Sequence, residues 1–255
     1  MPMVIEARQL LLLLNWMSPA FPTGQFAYSH GLEWAIEDHI VQSADDLEQW
    51  ISDLVTRGSG WNDVVLFSHC WEDDARELNE LALALASSRE RHLETAQLGR
   101  AFSIAVGVFL PSPIAGEGGS RVSARRMRGR AAGISATPHP PSGHLLPQGE
   151  KGNGEDEIAY PIAAGVACHA MGIPKENALL AFLQAFCAAL TSVAVRLVPI
   201  GQTAGLEVLR DLMPVISATA ERAASSTLDD LGSITLFADA AAMRHETQTS
   251  RVFRT

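Results

Sequence analysis

Apolar positions recur with a helical period over most of this chain, broken once by a long stretch with no period at all. From Glu6 to Trp16, Leu10, Leu11, Leu13 and Leu14 crowd one helical face, and Pro19 and Pro22 stop any continuation. The next segment, residues 18–33, holds two prolines, two glycines and the rings of Phe21, Phe26 and Tyr28. A mobile loop seldom carries such rings, so this one is expected to lie packed down on the body. Ser43 followed by Asp45, Asp46 and Glu48 is a capping pattern, with acids in the first turn where the helix dipole is positive. It predicts a helix from about Ala44 to Arg57. Further periodicity predicts helices over 62–72, 74–87 and 88–108, with Gly58 and Gly60 punctuating the first junction. Residues 160–171 read as a helix stopped by Gly172, and Pro174 sits where the next can begin. Residues 178–190 are apolar almost all round, the pattern of a central buried helix.

Between residues 110 and 153 the texture changes. Six prolines, eight glycines and no aromatic ring make a segment that cannot build a core, and it is expected to be a long disordered surface insertion. Its basic residues include Arg121, Arg125, Arg126, Arg128 and Arg130, so the remainder is more acidic than the whole. A basic interaction arm is the sharper alternative for this stretch.

Composition refines this picture. At 255 residues and 47% apolar content the chain can bury a large core, and with aromatics at only 6% alanine and leucine dominate. That suits helix-on-helix packing, and the expectation is an all-α, single-domain, bundle-like fold over residues 1–255. A formal charge of -10 argues against nucleic acid and against anionic membranes. The leucine run 10–14 is far below the roughly 20 residues needed to span a bilayer, and its flanks do not suit a signal peptide. A cytoplasmic protein is expected. Cys70, Cys168 and Cys187 form no even disulfide framework and no CxxC, and are expected as small buried hydrophobes.

Candidate chemistry is sparse. No phosphate-binding GxxxxGK[ST] loop occurs, so the chain is not expected to bind GTP or ATP by itself. His245 and Glu246 begin an HExxH pattern that lacks its second histidine. Asp73, Asp74 and Glu77 could hold magnesium diphosphate, as in all-helical isoprenoid synthases, with Asp229 and Asp230 as a distant second cluster. Arg76 lies among the first group, which is how a solvated helix face looks. His69 beside Cys70, and His169 beside Cys168, could suggest soft-metal ligands, but adjacent helical residues point about 100° apart. Arg196 enters an apolar stretch that breaks at Pro199 and Gly201, so it either pairs with a buried acid or faces a functional surface. The end of the chain, residues 244–255, is the most distinctive feature. It gathers three arginines, a histidine, a carboxylate, an amide and four hydroxyls around the apolar pair Val252 and Phe253. Such a set of directional donors reads as a recognition peptide.

Three ordered groups carry a family resemblance: Phe21-Pro22-Thr23-Gly24 with Ser29-His30-Gly31-Leu32-Glu33, Arg196-Leu197-Val198-Pro199 with Gly201-Gln202, and Arg244-His245-Glu246-Thr247-Gln248 with Ser250-Arg251. On these the chain resembles the urease accessory protein UreF family. The resemblance implies an all-helical homodimer that catalyses nothing itself and holds no cofactor or metal. It implies a scaffold that bridges UreD, also called UreH, and the GTPase UreG, and regulates GTP-dependent nickel insertion into the urease apoprotein. Carried over by position, Arg244, His245, Glu246, Gln248, Ser250, Arg251 and Phe253 would bind partners in a tail that orders on docking to UreD. Arg251 matches an arginine tied to complex assembly, and Arg196, with Gln202, matches a basic position linked to control of the GTPase. Pro22, Gly24, Phe26, Ser29, Gly31 and Glu33 form the structural motif. Residues 110–153 depart from the family pattern, resemble a translated genomic repeat element, and are expected to be dispensable. The rival reading remains a magnesium-dependent helical enzyme using Asp73, Asp74 and Glu77.

Overall fold

Capping residues set the helix boundaries. Ser43 begins helix α3, Ala44–Arg57, by accepting from the Asp46 amide at 3.1 Å while Asp46 Oδ2 accepts from the Ser43 amide at 3.0 Å. Asp74 caps α5, Ala75–Ala84, through the Arg76 amide, and Ser88 caps α6, Arg89–Val106, through the Arg91 amide. In this computed structural model residues 5–109 and 157–254 are described, and among them there are helices and turns but no strand. The remaining elements are α1 (Ala7–Trp16), α2 (Leu32–Glu37), α4 (Ser59–His69), α7 (Tyr160–Ala170), α8 (Lys175–Leu197), α9 (Gly201–Ala224) and α10 (Leu236–His245). The all-α expectation holds. The expected insertion at 110–153 lies outside the described residues.

Helix α8 is the axis of the fold. Its Leu179, Phe182, Leu183, Cys187 and Leu190 are all but fully buried, and α1, α2, α3, α4, α7 and α9 all pack on it. By length and composition alone α8 could cross a membrane, but 56% of its apolar window is covered by the rest of the protein, as in the core helix of a globular fold. All three cysteines are buried as expected, and burial pushes their thiols up, those of Cys70 and Cys187 to about 12.

Four local expectations are corrected. Helix α1 buries Leu12, Leu13 and Trp16, while Leu10, Leu11 and Leu14 stand 45%, 60% and 63% exposed. An unbroken leucine run is apolar at every helical angle, so its periodicity cannot choose a face. Trp16 decides it by packing edge-on against Phe102 and Phe109. In the loop, Phe21 and Tyr28 pack down but Phe26 is 63% exposed, because it lies in a 3₁₀ turn, Gln25–Ala27, whose successive side chains radiate apart. Gly60 is not a junction but lies inside α4, where a Cβ would meet Leu54 O at 3.1 Å and the Phe186 ring at 3.2 Å. Finally, the chain end does not start as a tail, since Arg244 and His245 are the last turn of α10. The long helix α9 was not legible in the sequence; it runs through Pro214, which leaves the Arg210 carbonyl without its usual amide partner.

Candidate partner-docking site

Two neighbouring residues at the start of α6 face opposite ways, since consecutive helical side chains diverge by about 100°. Glu90 points outward and receives the end of the chain. Its Oε2 lies 2.7 Å from His245 Nδ1, and its Oε1 accepts from Arg251 at 2.5 Å. The Glu90 amide, one of the unpartnered donors of a helix start, is taken by Glu246 Oε1 at 3.2 Å. Glu33, in the first turn of α2, completes the clamp. Its carboxylate accepts from the Val252 amide at 2.6 Å and the Phe253 amide at 2.8 Å, and lies 3.1 Å from His245 Nε2. His245 is fully buried between the two acids. The Arg254 amide donates to Ala27 O at 2.8 Å, and Gln248 donates to Glu37 and to Ser250 O. The chain end is thus folded back on the body of its own protein.

Docking buries Phe253, which is 4% exposed, and places its ring 5.7 Å from the Arg196 guanidinium. Arg196 also reaches Phe26 O at 3.5 Å and Ser192 Oγ at 3.3 Å. Arg196 is exposed and among the described residues no buried acid pairs with it, so of its two alternatives the surface position is the one observed. Phe26, Arg196 and the chain end, some 230 residues apart at the extremes, form one face. That face shows solvent the side chains of Phe26, Arg196, Arg251, Val252 and Arg254. Arg244 lies over the Trp34 ring at 5.5 Å. Pro22, Ser250 and Gln202 are exposed; Gly24 and Gly31 take left-handed backbone at φ 81° and 76°. At Gly31 this is required twice over, since a Cβ would come within 2.6 Å of the Ala242 amide in α10. Ser29 is buried, with its Oγ near the Glu33 amide at 3.4 Å.

On the inward side of α6, Arg91 and Glu94 enter a buried polar cluster that periodicity did not reveal. Arg91 NH1 lies 2.5 Å from Glu94 Oε2, and His30 Nε2 lies 2.9 Å from Glu94 Oε1. Asp63 is 3.9 Å from Arg91, and the group borders a cavity of about 20 Å³ that Thr95, Tyr160 and Phe186 also line, the size of a single water. Burial works to raise the Glu94 carboxyl, but the charge of Arg91 and the bonds from His30 outweigh it and hold it at about 2. Burial pushes Asp63 up to about 6 against the pull of Arg91. His30 is lowered by burial and by the Arg91 charge, against the pull of Glu94. In the sequence, Glu90, Arg91 and Glu94 look like an ordinary solvated face; nothing local marks two of them as interior.

The rival magnesium site is not assembled. Asp73 pairs with His69 at 2.6 Å, Asp74 is the α5 cap, and Asp230 closes a turn with Thr227. Among the described residues no group of three His, Cys, Asp or Glu side chains is placed to hold a metal ion.

Residues 41–213 match the family model described as UreF. The chain is 42% identical over 250 residues to a urease accessory protein UreF of Brucella ovis, covering 96% of this chain and 93% of the relative. It is 41% identical to proteins of the same name from Methylorubrum populi and Mesorhizobium japonicum, covering 96% of this chain and 98% and 96% of those relatives.

Proposed function

This chain belongs to the UreF family of urease accessory proteins, and from that premise we propose that it is a cytoplasmic, non-catalytic scaffold in urease maturation. As a homodimer it bridges UreD (UreH) and the GTPase UreG, and couples GTP-dependent nickel insertion to the urease apoprotein. The observation that carries this reading is the single face made by Phe26, Arg196 and the docked chain end. A protein of net charge -10 that gathers exposed arginines and an exposed aromatic ring at one place offers a docking surface for an acidic protein partner. Arg196 and Arg251 are the residues that meet partners; His245 and Phe253, being buried, act by holding the chain end in place.

The arrangement also suits reversible assembly. A segment already held by Glu33 and Glu90 has lost part of its conformational freedom, so less is lost when a partner binds. The enzyme alternative has less support, because the acids it needs serve as caps and ion pairs.

The test is a pull-down from cells expressing the urease operon, with the tagged full chain beside one truncated after Gln248. Recovery of UreD, UreG and apourease by the full chain and their loss on truncation is the expected result. Equal recovery by both chains would remove the chain end from recognition, and recovery by neither, with both folded, would overturn the scaffold reading.

A further inference from the structure

We propose that His30 is a positioning residue for the chain end, acting through Glu33. His30 has φ 52°, a backbone conformation uncommon for a residue with a side chain. Its surroundings are specific. The imidazole reaches Glu94 Oε1 at 2.9 Å, its ring sits edge-on to Phe186 at 4.9 Å, and the residue is buried. Glu94 is itself fixed by Arg91. Gly31 follows in the same left-handed region, pressed against the backbone of α10. Two consecutive left-handed residues turn the chain sharply into α2, so that Glu33, three positions after His30, emerges under the Val252 and Phe253 amides.

One side of this turn is therefore gripped by the interior cluster, and the other side grips the chain end. Removing the imidazole takes away the contacts with Glu94 and Phe186 that anchor the turn to the interior, and Glu33 then loses its aim. The consequence for partner binding rests on the docking reading above; the positional claim does not.

Amide hydrogen exchange on the full-length protein tests it, comparing peptides covering 246–254 with peptides from α8. The variants are His30→Asn, Glu33→Gln and the two together. Asparagine tolerates left-handed backbone and leaves the Arg91–Glu94 pair intact, so the fold should survive. We expect His30→Asn to speed exchange at 246–254 by about tenfold or more beyond any change in α8, the loss of roughly one charge-assisted hydrogen bond. In the Glu33→Gln background the same change should add little, because a residue that acts through Glu33 has nothing left to act on. Unaltered exchange of the chain end, full additivity with Glu33→Gln, or acceleration spread equally over α8 would each overturn the proposal. His30→Gly, which relieves the backbone conformation while removing the ring, should match the asparagine variant; wild-type protection in it would also overturn the claim. No partner is present in this measurement, so its failure and a failed pull-down are distinguishable.

Discussion

Two polar networks share the first turns of α2 and α6, yet they differ in what they do for the protein. In the inner one, His30, Arg91 and Glu94 are buried and Asp63 is 21% exposed at its margin. The outer one, Glu33, Glu90, His245 and Arg251, lies at the edge of the fold, and its arginine is 38% exposed. A charge inside a protein must be matched by its neighbours because water cannot replace them, whereas a charge at the edge can be rehydrated. The inner network therefore bears on the stability of the whole molecule, and the outer one holds a short segment at the end of the chain.

The sharpest way to break this contrast is Glu94→Ala. It leaves the Arg91 guanidinium buried with Asp63, at 3.9 Å, as its nearest acid among the described residues, and should cost about 3–5 kcal/mol in urea unfolding. A loss below about 1 kcal/mol would mean that the inner cluster is as replaceable as the outer.

Asp63→Asn tests the same cluster from the other side. The folded-state carboxyl is raised to about 6 from its ordinary 3.8, so its ionisation opposes folding as pH rises through that window, and the opposition is complete above it. Asparagine should thus raise stability by on the order of 1–3 kcal/mol at pH 7.5, with the gain fading as pH falls to about 4. A gain independent of pH would refute the electrostatic account. The Glu94 carboxyl, held at about 2, acts with the opposite sign: its contribution is present above its ordinary value of 4.5 and is lost on acidification through about 2.

Arg251→Ala should have the smallest effect on folding, under about 1 kcal/mol, because its ion pair with Glu90 is partly solvated. In the operon pull-down, by contrast, it should sharply reduce partner recovery. A large loss of thermal stability would assign Arg251 to the fold instead of to the docking face.

Much of the architecture was readable from local pattern. The capping serine at 43, the Gly172–Pro174 junction and the apolar run of α8 each act through bonds or periodicities within a few residues, and each lies where the pattern put it. The failures occurred where a local rule gave a degenerate or contrary answer. Five successive leucines define no face until Trp16 finds Phe102 and Phe109, and Phe26, read with Phe21 and Tyr28 as packed down, stands exposed in its 3₁₀ turn.

The candidate site divides in the same way. Residue types in the chain end and the isolated Arg196 singled out these two places, because unusual side chains in an apolar or terminal setting need a reason. That the two form one face was decided only by the return of the chain across α2 and α6. Composition and periodicity determined an acidic, all-helical protein with a buried central helix, since burying apolar stripes is a local demand repeated along the chain. Tertiary structure decided which of Glu90, Arg91 and Glu94 faces inward and what Glu33 holds, because those outcomes depend on partners 60 to 220 residues away that no local pattern encodes.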